Sequence, residues 1–150
     1  MANLIKEDKK YSTIIDKLIS FFETCPYIDS NSPINTDYLG DEIGTYSVDG
    51  TPAETILTTY LDGSTERQLM FDFTSREAVD IYNNQDNALF YENLTNWVEE
   101  QNELGNLPEL EYPLEAESLE VITYGYADQI SANKAIYVIQ MKLKYMKFIE

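Results

Sequence analysis

The stretch that decides the fold reads Thr55-Ile-Leu-Thr-Thr-Tyr-Leu-Asp-Gly-Ser-Thr-Glu-Arg-Gln-Leu-Met-Phe-Asp-Phe-Thr74. Its first part, Thr55 to Leu61, is dense in residues that favour strands and leads into Asp62-Gly63, a strong signal for a tight turn. The second part, Arg67 to Thr74, alternates with the period of a half-buried strand and carries on one face Leu69, Phe71 and Phe73. Two strand-like runs joined by this turn predict an antiparallel hairpin.

Further strands are predicted on both sides of this hairpin. Gly44 to Val48 is a short run that ends at a second turn dipeptide, Asp49-Gly50. Towards the end of the chain, Glu115 to Gly125 and Ala135 to Phe148 have strand character. The last run carries one apolar row, formed by Ala135, Tyr137, Ile139, Met141, Leu143 and Tyr145. Asp29 to Gly44 is rich in turn-forming residues and predicts a long loop with room for one short strand.

Two amphipathic helices are predicted from apolar residues that recur every three or four positions. The first has the apolar face Tyr11, Ile14, Ile15, Leu18, Ile19 and Phe22, and Pro26 is expected to end it. The second runs from Gln85 to Leu104, with Gly105 as its C-terminal cap. Its predicted buried face consists of Phe90, Leu94, Trp97, Val98 and Gln101. A short helical turn is also predicted over Ser75 to Tyr82, with Ser75 as its cap.

The element order is therefore α-β-β-β-α-β-β. Runs of strands separated by single helices are typical of the α+β class, with a mostly antiparallel sheet and helices packed on one face. A chain of 150 residues is expected to form one domain, 1–150. No internal repeat is evident in the sequence. No apolar run is long enough for a membrane span.

The charge of the chain is strongly negative and unevenly distributed. The formal net charge is −17, from 10 basic and 27 acidic residues. Eight of the basic residues lie near the two ends, whereas residues 18–133 hold only Arg67 and Arg76 against 23 acidic residues. One interpretation is a well-solvated surface. The other is complementary contact between copies, in which a positive edge meets a negative one. Sequence-specific DNA binding is not expected, because there is no extended basic patch.

Few residues suited to catalysis are present, and no enzyme is predicted. The sequence has no histidine, and its single cysteine, Cys25, is expected to be a buried small hydrophobe. Adjacent carboxylates such as Asp41 with Glu42 are expected by chance in so acidic a chain. The oxygen-rich segment at residues 83–87 lacks the spacing of a calcium loop, so capping is the preferred interpretation. We therefore predict no catalytic, metal or cofactor-binding residues. One cysteine and no evident leader segment suggest a reducing cytoplasm.

Several short motifs, spread over most of the chain, resemble those of a known family. They are Tyr46-Ser-Val-Asp-Gly-Thr-Pro52, Tyr60-Leu-Asp-Gly63, Phe71-Asp-Phe-Thr-Ser-Arg-Glu77, Trp97-Val-Glu-Glu-Gln and Gly105-Asn-Leu-Pro108. Their order and spacing resemble the minor capsid proteins of tailed phages and prophages of Gram-positive bacteria. The resemblance implies a head–tail joining protein of a long-tailed phage, similar in size and element order to tail terminators. Such proteins cap the tail tube as a hexameric ring.

The resemblance also implies partners and a location. The partners would be further copies of the chain, the major tail protein and the head-completion proteins, within a virion assembled in the bacterial cytoplasm. DNA would pass through the ring without specific binding and no membrane would be involved. The alternatives are a stopper or other connector protein, or a small acidic host-directed binding protein that mimics DNA.

Under this interpretation two sets of residues are candidates for function. An acidic channel that repels phosphates would be lined by Glu99, Glu100, Glu103, Glu109, Glu111, Glu115 and Glu117. Contacts between copies would involve Lys142, Lys144 and Trp97. Trp97 also fits a place in the core, since an aromatic residue at helical spacing is more often buried than exposed.

Overall fold

The structure of the protein, a computed structural model, describes residues 13–78, 81–131 and 133–149. It contains two helices and seven strands within these ranges. In chain order they are α1 (Ile14–Phe22), β1 (Ile34–Thr36), β2 (Thr45–Thr51), β3 (Ile56–Thr59), β4 (Thr65–Ala78), α2 (Ile81–Leu104), β5 (Leu114–Val121), β6 (Tyr126–Ser131) and β7 (Lys134–Lys147).

The sheet is built from two long hairpins that lie side by side. Its central strands, β4 and β7, pair antiparallel along all 14 residues of each. β2 and then β3 line the outer edge of β4, and β5 and then β6 line the outer edge of β7. Each hairpin thus has a continuous inner strand and an interrupted outer strand. We call residues 45–78 the first hairpin and residues 114–147 the second hairpin; β1 adds parallel to β2 at one border.

The core lies between one face of this sheet and both helices. The ring of Phe22 on α1 contacts the ring of Phe73 on β4, with centroids 5.0 Å apart. On α2, Phe90 contacts Tyr46 of β2 at 6.0 Å. The alternation predicted for the central strands is confirmed, because the buried cluster contains their apolar rows, among them Phe71, Phe73, Ile139, Met141 and Leu143. The chain is therefore α+β, with a mostly antiparallel sheet covered by helices on one face.

The predicted helices are confirmed, with adjusted ends. Thr13 caps α1 in a reciprocal capping box with Asp16, each donating its backbone N–H to the side chain of the other. The helix ends at Phe22, one turn before Pro26, and the predicted apolar residue Tyr11 lies outside the described residues. At the end of α2, Gly105 has the left-handed φ of 78° expected of a C-terminal cap.

The predicted element order is wrong in detail, since four strands precede α2 and three follow it. The additional early strand, β1, lies in the segment where the sequence left room for one. The run predicted from Glu115 to Gly125 is interrupted after Val121, and pairing with β7 resumes at Tyr126. A gap in an outer strand leaves the apolar content of the segment unchanged, so the sequence pattern does not reveal it.

The short helical turn predicted over Ser75 to Tyr82 is wrong in its first half. Ser75 to Ala78 continue β4, pairing with Tyr137 to Lys134 on β7. Ser75 is fully buried and does not cap a helix; its hydroxyl pairs with the hydroxyl of Tyr91 instead. Pairing with both neighbouring strands outweighs the local capping preference of a serine.

The turn predicted at Asp49-Gly50 is also wrong, because both residues lie within β2. Asp49 accepts hydrogen bonds from the hydroxyls of Ser47 and Thr74, and these bonds hold its carboxylate on the sheet surface. The N–H of Gly50 donates to the side chain of Asp37 at 3.0 Å. These partners satisfy the polar groups that would otherwise favour a turn.

The sheet face opposite the helices is largely polar and partly covered by the loop before β2. In this loop Tyr38 donates its N–H to Ser47, and Gly40 accepts a hydrogen bond from Arg76 at 2.7 Å. These contacts bury Ser47 on a face that is otherwise charged. Within the part of the chain that the structure describes, no helix is long and apolar enough to cross a membrane.

Candidate functional site

The first hairpin ends in an exposed apolar surface, which we call the apolar tip: Ile56, Leu57, Tyr60 and Leu61. All four side chains are at least 40% exposed, and Leu61 is fully exposed. Single exposed apolar residues are ordinary on protein surfaces, whereas four within six residues at one end of a hairpin favour a contact surface. Ile149, also exposed, lies against the adjacent Gly63 and extends this surface.

The turn that carries the apolar tip is held by its own hydrogen bonds. Asp62 accepts from the N–H of Ser64 at 2.9 Å and from its hydroxyl at 2.6 Å. These bonds to the carboxylate lower the pKa of Asp62. Gly63 adopts a φ of 92°, which other residues rarely reach, and its N–H donates to the carbonyl of Tyr60. The turn is therefore held in one conformation by its own hydrogen bonds.

A cavity of about 500 Å³ lies between α2 and the second hairpin. We call it the tyrosine cavity; it is lined by Asn84, Ala88, Tyr91, Glu92, Thr95, Asn96, Tyr124, Gly125 and Tyr137. The rings of Tyr91 and Tyr137 stack with centroids 5.0 Å apart and form part of its wall. Tyr124, in the gap between β5 and β6, is well exposed. Aromatic walls with a few polar groups are typical of binding cavities.

The gap between β5 and β6 shapes this cavity through Gly125. A Cβ atom at this position would lie only 2.6 Å from Cγ of Tyr91, so the backbone approaches the ring as closely as glycine permits. The interrupted strand thus turns against α2 at this point instead of continuing along β7. The cavity exists because the outer strand of the second hairpin is broken here.

Buried polar groups lie at and below the cavity. Burial raises the pKa of the Tyr91 hydroxyl, which pairs with Ser75. Burial also raises the pKa of Glu77, and it raises that of Tyr46 to about 12, with Glu77 as a further contributor. The hydroxyl oxygen of Thr95 is buried and has no hydrogen-bond partner among the residues that the structure describes. An unpaired buried hydroxyl is costly, so Thr95 offers a free position to an incoming polar group.

The seven glutamates predicted to line a channel are all exposed. They follow the second half of α2, the loop after it and the start of β5, and we call them the acidic surface. Two of them have close charged neighbours. Glu111 forms an ion pair with Lys17 at 3.2 Å, and burial and the adjacent Glu66 raise the pKa of Glu117.

The three residues predicted for contacts between copies have partners within the chain. Lys142 pairs with Glu120 at 3.4 Å, and Lys144 with Glu66 at 3.9 Å. Trp97 is half-buried, and its ring packs on Phe21 of α1 at 5.0 Å. Trp97 thus packs against α1, which agrees with the alternative that its helical spacing allowed, a position at the core. Cys25 is buried as predicted.

Sequence reasoning missed the apolar tip and the tyrosine cavity. A signal for the tip was present, since an apolar residue directly before a tight turn, as Leu61 is, lies too far out to reach the core. No comparable signal exists for the cavity, which joins Thr95 of the helix to Gly125 and Tyr137 of distant strands. Among the described residues, no group of three or more acidic or sulfur ligands is placed to hold a metal ion.

Comparison of the chain with models of known protein families gave no match, and comparison with curated proteins gave none either.

Proposed function

We propose that the chain is a virion structural protein at the head–tail junction of a tailed phage, and specifically a tail terminator that caps the tail tube as a ring. The observation that carries this proposal is the pair of unlike exposed surfaces, the apolar tip and the tyrosine cavity. A closed ring requires each subunit to present two different, complementary surfaces.

The two surfaces lie at different ends of the central strands. The apolar tip adjoins Thr65, where β4 begins, because Tyr60 donates its N–H to Ser64. The cavity lies above Ser75, whose partner Tyr91 lines it. Between Thr65 and Ser75 the strand rises roughly 30 Å. The two surfaces therefore face different neighbours, as the subunits of a ring require.

The acidic surface supplies the second part of the proposal. Exposed carboxylates on the inner wall of a ring repel the phosphates of passing DNA and prevent it from adhering. In the proposed ring this surface faces the channel. Glu99 and Glu103 on α2, with Glu109 in the loop after it, form no ion pair with another described residue and are simple to change.

Deletion of the gene from a phage or prophage that encodes the chain tests the proposed role. We expect overlong or headless tails in negative-stain electron micrographs, because an uncapped tube continues to grow and cannot join a head. Supplying the wild-type chain from a plasmid should restore normal virions. Normal particles after deletion would refute the role.

Charge reversal tests the channel. We expect Glu99→Lys, Glu103→Lys and Glu109→Lys combined to slow genome ejection, measured by DNA release, while ring assembly persists. The matched control also reverses three charges, at Glu23, Asp41 and Glu42, which are exposed acidic residues outside the acidic surface, and should leave ejection unchanged. Equal ejection rates in both variants would exclude a channel role for the acidic surface.

A stopper or connector protein is the nearest alternative, and it would give tails of normal length with heads that lose DNA. The exposed carboxylates also suit an acidic protein that mimics DNA and binds a basic host protein. That function predicts a stable monomer, and nucleic acid would displace it from its partner. Both outcomes are distinct from overlong tails.

A further inference from the structure

We infer that the apolar tip of one copy enters the tyrosine cavity of the next copy, an inference that rests on the proposed ring. The contact would be head-to-tail, with the tip of each subunit in the cavity of its neighbour. A chain cannot fill its own cavity, because the tip and the cavity lie roughly 30 Å apart along β4.

The tip has the properties of an anchor. Leu61 projects fully into solvent at the apex of a turn held by Asp62 and Gly63. Tyr60 and Leu57 lie beside it and are also exposed. Rigid apolar and aromatic side chains that fill a cavity contribute most of the binding energy in many interfaces.

The cavity has room for these side chains. A cavity of roughly 150 Å³ holds a benzene-sized group, and the tyrosine cavity measures about 500 Å³. It can therefore accommodate the side chains of Leu61 and Tyr60 together. The hydroxyl of Tyr60 would then give the buried, unpaired hydroxyl of Thr95 a hydrogen-bond partner.

Two cations at the base of the tip and a carboxylate at the cavity favour a second copy as the occupant. Arg67 and Lys147 lie at the base of the tip, and the ammonium group of Lys147 makes no ion pair with any of the described residues. Asp62, within the turn, keeps its negative charge, and its carboxylate accepts hydrogen bonds from the N–H and the hydroxyl of Ser64. Glu92 lies at the cavity and is exposed. A neighbour's cations can reach this carboxylate as the tip enters.

Self-association measured by sedimentation velocity tests the contact. Leu61→Asp removes the anchor and Ala88→Phe fills the cavity from the exposed surface of α2. Each variant should weaken association about tenfold or more, the loss expected when one buried leucine no longer leaves water. Leu104→Asp is the matched control, since Leu104 is an exposed leucine that belongs to neither surface, and it should associate as the wild type does.

Mixing the two variants gives the sharper result. A Leu61→Asp chain keeps an intact cavity and an Ala88→Phe chain keeps an intact tip, so an equimolar mixture should form dimers that neither variant forms alone. These dimers cannot grow further, because the tip left free carries Leu61→Asp and the cavity left free carries Ala88→Phe. Unweakened association of Leu61→Asp, or a mixture without dimers, would overturn the inference.

Cross-linking covers the case in which the wild type associates too weakly for sedimentation. Leu61→Cys and Ala88→Cys chains, mixed and oxidised, should form a disulfide-linked dimer, because bonded cysteines have Cα atoms within roughly 7 Å of each other. Cys25 does not compete, since it is buried. A Leu104→Cys chain in place of Leu61→Cys is the control. No 61–88 dimer at high protein concentration would refute the contact.

The two proposals fail in different ways. If deletion leaves virions normal while the 61–88 disulfide forms, the virion role fails and the contact stands. If deletion gives overlong tails but Leu61→Asp restores normal virions, the contact fails and the role stands.

Discussion

The two hairpins share one plan and differ in what their outer strands do. In the first hairpin, residues 52–55 interrupt the outer strand, and β3 then leads to an exposed turn. In the second hairpin, residues 122–125 interrupt it, and Gly125 turns against Tyr91 on α2. The first interruption leaves a projecting tip, and the second forms one wall of a cavity.

This difference shows how one architecture yields two unlike surfaces. The inner strands β4 and β7 are equal in length and pair throughout, so they provide a common frame. The outer strands carry less of the core and can diverge at their interruptions. A protein whose hairpins were alike at these places would present two similar ends, and similar ends do not form a head-to-tail contact.

The largest expected effect comes from exchanging glycine for alanine in each outer strand. Gly125→Ala places a Cβ atom 2.6 Å from Tyr91 and should lower the free energy of unfolding by about 1–3 kcal/mol, as overpacking does. Gly50→Ala, in the first hairpin, meets only Ile15 at an ordinary 3.7 Å and should change stability by less than about 0.5 kcal/mol. Urea unfolding measures both. Equal effects would mean that the second interruption is not closely packed.

A smaller effect is expected from Tyr91→Phe, which removes the hydroxyl that joins α2 to the first hairpin. Ser75 would lose this partner while its side-chain hydrogen bond to Glu77 remains, so the expected cost is about 1 kcal/mol. Tyr137→Phe is the matched control, because it keeps the stacked ring while leaving Ser75 paired. Thermal unfolding of both variants measures the difference. A Tyr91→Phe protein as stable as the control would show that this hydrogen bond contributes little.

The smallest effect concerns Glu77, at the end of β4. Burial raises its pKa above the ordinary 4.5, so the folded state binds this proton more tightly than the unfolded state does. The contribution of Glu77 to the stability of the fold is therefore greatest below about pH 4.5, and it falls as the pH rises through the raised pKa. Glu77→Gln should raise the melting temperature at pH 7 and flatten its dependence on pH above 4.5. A lower melting temperature at pH 7 would show that the carboxylate is favourably paired.

Much of the fold was predictable, because its main elements obey local patterns. The alternation around Phe71 and Phe73 identified the inner strand of the first hairpin, and Asp62-Gly63 identified its turn. The helical spacing of apolar residues as far as Val98 identified α2, and Gly105 identified its C-terminal end. These signals depend on neighbours in sequence, so they remain valid whatever the rest of the chain does.

The errors occurred where distant partners outweighed local preference. Asp49-Gly50 favours a turn in isolation, yet pairing with Asp72 and a hydrogen bond from Thr74, both on β4, hold Asp49 within a strand. Ser75 favours a helix cap, yet it lies between two strands and pairs with Tyr91. In both cases the deciding contact comes from residues far along the chain or on another element.

The sequence by itself determined the α+β class, the buried rows of the inner strands, the two helices and the acidic middle of the chain. It did so because periodicity, turn dipeptides and charge are local properties. Only the tertiary structure decided that two similar hairpins end in a tip and a cavity. That outcome depends on where each outer strand is interrupted and on which helix meets it, and both are settled by contacts such as Gly125 against Tyr91.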